Sequence, residues 1–474
     1  MEYTGGSVDH MAGETHSAAE ESRRPAPRQS VRTFSQRAWA RVAEVAARRM
    51  APLAASPVPE PEPVAAPPPE EVLDLLRHLG ITMSRAGEPA DRVALILGQV
   101  ATVYGATGLT FFVVPTGVFV RIDLGPSSSV DFETGASPPL RLDQVDALYR
   151  LIDDIRLTQV DAEGATARLQ GLLTAEPRFG GLAAILGSGV LTVGLGLMLN
   201  PTASALPAFL LLGLLVGMLR WWAHREPLLT LVLPVVAAIA VTWLVFKWLA
   251  PALNASALDI VIPSLVTFLP GAALTMATVE LSTGDMLAGS ARLVDGLERL
   301  LLLTFGIAMG TQLAGLTPST SEGRSALGAW APWLGVLIFG AGQYVASSAP
   351  RRTLGWLLVV LYTAYGVQAL SGLLLGSLGA SFVAAAVVLP VCYAIQSRRS
   401  GPPVPVTFLP TFWLLVPGAL GLAGVAQIVG ADRAAGLGDF LNALLSIVAI
   451  AVGVLVGSGV SERIGRSTST WRGI

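Results

Sequence analysis

The sequence predicts a polytopic α-helical membrane protein: ten transmembrane helices, built as two inverted five-helix repeats, preceded by a small α+β cytoplasmic domain. Three observations carry that expectation. Of the 474 residues, 52% are hydrophobic and only 14% are charged, more apolar surface than a soluble domain can hide. From Phe179 onward, apolar runs of about 18–24 residues follow one another, each suited to a hydrocarbon core about 30 Å thick. Lastly, a proline–glycine pattern inside one run, "PSLVTFLPGA" at 263–272, returns 147 residues later as "PTFWLLVPGA".

Residues 1–69 are polar and then Pro-rich, which reads as a disordered or stiff head. Within it, "FSQRAWARVAEVAARRM" places Phe34, Ala38, Trp39, Val42 and Val45 near one helical face, the pattern of either a membrane-surface helix or a transient solvated one. The first residues lack the basic start and continuous apolar core of a signal peptide, so no cleavage is expected. Residues 70–176 have ordinary globular character. Helical spacing in "EVLDLLRHLGITMSRAG" and "PADRVALILGQVATVYG" predicts two helices, with Gly87 closing the first and Pro89 opening the second. "LTFFVVPTGVFVRIDL" predicts two strands joined at Pro115-Thr116-Gly117, and "LDQVDALYRLIDDIRLTQV" and "AEGATARLQGLL" predict two more helices.

The spans are expected near 180–199, 204–222, 228–249, 258–279 and 288–311 in a first repeat, 177–316. Those of a second repeat, 317–462, fall near 328–347, 353–371, 377–396, 407–429 and 437–458, followed by a cytoplasmic tail, 463–474. With the N-terminus inside, the cytoplasmic turns and tail hold Arg220, Arg225, Arg351, Arg352, Arg398, Arg399, Arg463, Arg466 and Arg472. The outer turns keep only Arg324 and Arg433, and Lys247 can snorkel at the outer end of the third span. The positive-inside rule therefore puts both termini of a multi-pass cell-membrane protein in the cytoplasm.

The offset of 147 superimposes Pro263, Pro270, Gly271, Ala272, Asp285, Ala288, Gly289, Leu297, Gly306 and Gly310 on identical residues, ten identities over 48 positions. Seven of the ten are Pro, Gly or Asp, residues that special backbone geometry selects and an apolar run does not. The offset joins spans 4–5 to spans 9–10, so the unit is five spans. Because five is odd, the second copy enters the membrane upside down. Inverted repeats with interrupted helices at matching positions are how many secondary transporters build a midplane site. Proline in a helix interior removes a hydrogen bond that lipid cannot replace. Amides and carbonyls freed around Pro270-Gly271 and Pro417-Gly418 would suit a carboxylate and an ammonium group, with Ala272 and Thr275 beside them. The alternative is a pair of ordinary kinks filled by neighbouring helices.

Ionisable residues within spans are costly and mark function or pairing. Arg292, Asp295, Glu298 and Arg299 fall on one helical face and can pair along it, or simply face the bundle as a neutral ladder. A proton-coupled carrier needs a carboxyl whose ionisation can swing, for which Asp295 stands first and Glu280 second. The repeat partner of Asp295 is Asn442, which cannot titrate. Asp285 and Asp432 end the two broken spans and suit substrate gating at the inner and outer mouths. His224 beside Trp221 and Trp222 reads as an interfacial anchor.

The stretch from Pro263 to Gly310, with the block "AGEPADRV…PTGVFVRI" before it, resembles the threonine/serine exporter family over roughly residues 70–460. The matching positions are Pro270, Gly271, Ala272, Glu280, Ser282, Gly284 and Asp285, with Pro417 and Gly418 in the second half. The resemblance implies export of threonine, serine or related small amino acids driven by the proton motive force, and a family in which the two membrane halves also occur as separate chains. The partners it implies are a small amino-acid substrate, protons and membrane lipids; a homo-oligomer is compatible with it.

Composition removes other classes. Cys392 is the sole cysteine, so there is no intrachain disulfide and no cysteine-based metal site, and no cofactor is expected. Lys247 is the sole lysine and does not follow a phosphate-binding glycine loop, so the chain is no ATPase by itself. The net charge of −2 gives no reason to expect a nucleic-acid partner. Two alternatives stay open. One is a membrane-anchored hydrolase with its chemistry in residues 70–176, around Glu88, Asp91, Thr116 or Asp123, although that domain has only His78 and neither G-x-S-x-G nor H-E-x-x-H. The other is a passive channel or scaffold.

Overall fold

A computed structural model describes residues 70–124, 127–135, 138–157, 160–223, 225–315, 327–398, 400–415 and 433–467. The Pro-rich head, His224, Pro417, Gly418, Asp432 and the last residues of the tail lie outside these.

In the N-terminal domain, α1 (Glu70–Arg85) and α2 (Ala90–Val103) form where apolar residues recur at helical spacing. Helix α1 stops because Gly87 takes φ 86°, and the Glu88 N–H turns back to donate to the Met83 carbonyl at 3.3 Å. Pro89 then precedes α2, where a missing N–H costs nothing. Strands β1 (Leu109–Val114) and β2 (Gly117–Leu124) make a hairpin whose two-residue turn is Pro115-Thr116, and β3 (Ser127–Thr134) continues the antiparallel meander. This third strand goes beyond the two that the sequence predicts. "SSSVDFET" lacks the β-branched density that marks a strand, and pairing along all of β2 supplies what propensity does not.

Alternation sends Val118, Val120 and Ile122 inward. On the outer face Phe119 stacks between Phe112 and Phe132, with centroids 5.9 and 5.5 Å apart. Helices α3 (Leu142–Arg156) and α4 (Ala162–Thr174) complete the domain. Its core centres on Leu75, Leu76, Leu79, Met83, Leu97, Leu148 and Ile152, all fully buried, each contributing on the order of 2 kcal/mol of burial.

The apolar part begins with α5 (Gly181–Leu199) and α6 (Leu206–Ala223). Helix α7 (Pro227–Leu244) continues through a π-helical turn, Val245–Leu249, to Leu253. Then come α8 (Ala257–Leu265), α9 (Gly271–Thr283), α10 (Met286–Ala314), α11 (Ala331–Ala346), α12 (Leu354–Gln396), α13 (Val404–Leu415) and α14 (Arg433–Ser467). By length and composition α5, α6, α7, α12 and α14 can each cross a bilayer, and the bent pair α8–α9 makes a sixth. The chain is therefore a mostly helical, multi-pass membrane protein with one small sheet.

Helix α12, with 43 residues, would be about 65 Å long if straight. It is not straight. Gly376 sits at φ 69° and ψ −175°, a conformation open to glycine and outside any helix. The Arg398 guanidinium, just past one end, lies 5.7 Å from the ring centre of Trp356 near the other. The element is thus a helical hairpin with arms 354–375 and 377–396.

Three glycine seams organise the bundle. Gly187 and Gly194 of α5 oppose Gly342 and Gly335 of α11, so closely that a Cβ on Gly194 would meet the Phe339 nitrogen at 2.3 Å. The order of these pairs makes the two helices antiparallel. On α10, Gly306 lies against Val235 and Ala238 of α7, and Gly310 against Ile239 and Thr242. On α14, Gly453 lies against Phe382 and Ala385 of α12, and Gly457 against Ala386 and Leu389. Each of these α10–α7 contacts maps onto an α14–α12 contact at the same offset of 147.

Candidate functional site

Helix α8 accommodates Pro263 and ends at Leu265; a single 3-10 turn, Val266–Phe268, follows, and then Leu269 and Pro270 leave the helix altogether. Pro270, at φ −81° and ψ 34°, precedes α9, and the axis turns by 57° across the break. The first bond inside α9 runs from the Leu274 N–H to the Pro270 carbonyl at 2.9 Å. The amides of Gly271, Ala272 and Ala273 therefore precede the helical ladder and point out of the helix start, which favours negative charge. Gly271 and Pro270 are buried.

Two hydroxyls flank this break. The side-chain oxygens of Thr267 and Thr275 are buried without a hydrogen-bond partner, and Thr275 is wholly inaccessible. An orphaned buried hydroxyl costs about 1–3 kcal/mol, so both gain from a polar ligand at the break. The proline step on α13 shares one device with α8: the Ser264 hydroxyl donates to the Ile260 carbonyl at 2.9 Å, and the Thr411 hydroxyl to the Thr407 carbonyl at 2.9 Å.

Farther along α9, Glu280 has no exposed surface at all. Its Oε1 accepts from Arg292 Nε of α10 at 3.0 Å and from the Ala90 N–H, at the start of α2, at 3.2 Å. Its Oε2 also lies 3.0 Å from Arg292 Nε but off the N–H direction, and has no hydrogen-bond partner. Arg292 Nη2 reaches on to the Glu88 carbonyl at 3.0 Å. The buried Glu88 carboxylate in turn holds Arg92 at 3.1 Å and accepts a short hydrogen bond from the Tyr149 hydroxyl. Arg92 donates to the Tyr393 hydroxyl at the end of α12 and lies against its ring. One continuous polar chain thus links the N-terminal domain to α9, α10 and α12. Burial and the Glu88 charge push the Tyr149 phenol well up, while Glu88, Tyr149 and Tyr393 together outweigh burial and hold Arg92 firmly cationic.

The other expected site residues are placed differently. Asp295 pairs with Arg299 at 3.0 Å on an outward face of α10, both side chains about half exposed, while Arg292 turns away from that ladder to Glu280. Asp285 stands at the N-cap position of α10, in the α9–α10 turn. Burial and the facing Asp91 raise its pKa above the usual carboxylate value. Asn442 is exposed on α14, where its carbonyl accepts from the Ser446 hydroxyl. Pro417, Gly418 and Asp432 fall outside the described residues. Of the hydrolytic candidates, Thr116 and Asp123 stand at opposite ends of β2, about 23 Å apart along the strand. Glu88 is committed to Arg92 and Tyr149.

Sequence reasoning did not assign Arg92, Tyr149 or Tyr393. The local signal was the Glu88–Arg92 spacing of four around Pro89; nothing local marks a tyrosine 301 residues from its arginine.

No curated protein and no solved structure matches the chain. A family model does, over residues 74–314, and that family is described as "Putative threonine/serine exporter" (ThrE). The matched region runs from α1 through the broken helix and Glu280 to the last residue of α10, just over half of the chain. The broken span and the buried carboxylate are therefore features of the matched region itself, and the chain belongs to the threonine/serine exporter family.

Proposed function

We propose that this protein is a secondary transporter that exports threonine, serine or related small amino acids, driven by the proton motive force, by alternating access around the α8–α9 break. The observation that carries the reading is the break itself. It combines outward-facing amides at Gly271–Ala273 with the orphaned hydroxyls of Thr267 and Thr275. A zwitterionic hydroxy amino acid presents a carboxylate for those amides and a hydroxyl for those threonines.

The arrangement we propose has ten spans in two inverted halves, with the α12 hairpin counting as two and α13 beginning the ninth. The matched glycine contacts of α10 on α7 and α14 on α12 support it, as does the antiparallel crossing of α5 and α11, the first helices of each half. The ends assigned to the cytoplasm also gather at one place. Ala288, Ala349 and Val406 share the hydrophobic core of the N-terminal domain, and the Leu142 N–H donates to the Ser347 carbonyl at 3.2 Å. This favours a cytoplasmic N-terminal domain acting in gating rather than hydrolysis.

The deciding experiment is uptake of labelled threonine, serine and alanine into inverted vesicles with and without a proton gradient. Gradient-dependent accumulation of the hydroxy amino acids is expected. Equilibration that ignores the gradient would indicate a passive channel, and turnover of an ester or amide by the N-terminal domain would indicate an enzyme.

A further inference from the structure

We propose that the N-terminal domain is the inner gate of this transporter, latched onto the membrane helices through Glu280, and that a proton on Glu280 releases the latch. The inference rests on the transport reading above and adds to it the identity of the coupling carboxylate and of the residues that sense it.

The argument begins with what Glu280 meets. Arg292 approaches from α10 and the Ala90 N–H from α2, and both are donors. The N-terminus of α2, aimed at the carboxylate, adds the positive end of a helix. The other charged groups at this junction are Glu88, Asp91 and Arg92 on the domain and Asp285 in the α9–α10 turn; Tyr149 and Tyr393 complete it. The described faces of α13 (Val404–Leu415) and of α14 over 441–461, which also pack on α9, carry no charge. A carboxylate suits this surrounding. A carboxylic acid suits it less: it brings no negative charge to Arg292 or to the start of α2, and its O–H would need an acceptor, while the Glu88 carbonyl nearby is already taken by Arg292.

Docking and protonation of Glu280 therefore oppose each other, and each weakens the other by the same factor. When Oε2, the oxygen without a partner, takes a proton, the Ala90 N–H on Oε1 keeps only a neutral acceptor and Arg292 loses its counter-charge. The domain keeps Arg92 on Tyr393, the Leu142 N–H on the Ser347 carbonyl, Arg292 on the Glu88 carbonyl and its apolar contacts, but loses the charged contact at Glu280. Lifting it uncovers the inner ends of α9, α10, α11 and α13. Cytoplasmic substrate enters while the proton leaves Oε2 for the cytoplasm, and the regained carboxylate draws the domain back behind the substrate. One proton moves in as one substrate moves out.

The test reads the latch without transport. In a Cys392→Ser background, Val406→Cys places a thiol at a site only 2% exposed beneath the domain, and Ser397→Cys supplies an exposed reference. Inside-out vesicles holding the full chain are treated with a charged methanethiosulfonate, and the rate at 406 is divided by that at 397. The ratio is expected to rise about tenfold or more between roughly pH 8 and pH 5.5. With Glu280→Gln it should be high and flat across that range. With Tyr393→Phe, which removes a single hydroxyl and leaves the fold intact, it should rise severalfold at every pH and keep its slope. A pH-independent ratio in the parent, or a Tyr393→Phe ratio equal to the parent's, overturns the latch. Uptake in the same vesicles is scored separately, so gradient-driven transport with a flat ratio removes the latch alone. A pH-dependent ratio without gradient-driven transport removes the transport reading alone.

Discussion

Asp295 and Glu280 offer the same functional group in opposite surroundings. Asp295 shares a half-exposed pair with the arginine one turn away, an arrangement of about 0.3–0.5 kcal/mol. Glu280 is closed off from solvent, held by two elements and short of one hydrogen bond. Asp295→Asn is accordingly expected to accumulate threonine within about twofold of the parent, whereas Glu280→Gln should exchange substrate yet fail to concentrate it when a pH gradient is imposed. Vesicle uptake by both variants, side by side, decides between them; loss of accumulation in Asp295→Asn alone would hand the coupling role to the outer face of α10. Sequence put Asp295 before Glu280, and the order proposed here reverses that, because burial is a property of what packs on a helix. The Tyr149–Glu88 and Arg92–Tyr393 bonds were beyond it for the same reason: they join residues 61 and 301 positions apart, through docking that leaves no periodic trace.

The elements that could be read in advance are those whose geometry is written locally. Pro270-Gly271 interrupts a helix wherever it occurs, and the α8–α9 break lies inside the expected 258–279 span. The same rule located Gly87 and Pro89 between α1 and α2. Strand β3 escaped because its serines gain their strand geometry from β2 alone. Replacing Pro270 with Ala and Gly271 with Leu together should mend the helix. Thermal stability in detergent is expected to hold or rise, while efflux falls at least tenfold as the exposed amides vanish. Undiminished efflux from that double variant would reduce the break to a packing kink.

The glycine seams make a second prediction. A side chain at Gly306 would press on the Ala238 methyl at 2.5 Å, and one at Gly453 on the Phe382 carbonyl at 2.4 Å. Gly306→Val and Gly453→Val should each cost about 1–3 kcal/mol or more and lower the midpoint of unfolding to a similar extent. Very unequal losses would argue against equivalent seams.

At the scale of the whole molecule, composition announced a multi-pass membrane protein, and charge in the turns assigned its sides. Contacts between the N-terminal domain and α9 through α13 then gathered the ends that the charge rule had put together. Thiols introduced by Trp330→Cys, beside the start of α11, and Ser397→Cys, after α12, should react from opposite faces of sealed vesicles. Reaction from the same face would remove the inverted arrangement.

The crossing of α5 and α11 has a further meaning in that arrangement. At Gly187, Gly194 and Gly342 it brings backbone against backbone, which leaves few side chains there to climb past one another when the helices turn. These are the first helices of the two halves, so their meeting point sits on the rotation axis that relates the halves, the one line neither half moves away from. In the proposed arrangement the glycines there would serve as a bearing. A bulky residue at Gly194 would leave the substrate's binding groups untouched and still seize the machine, freezing it on one side of its swing.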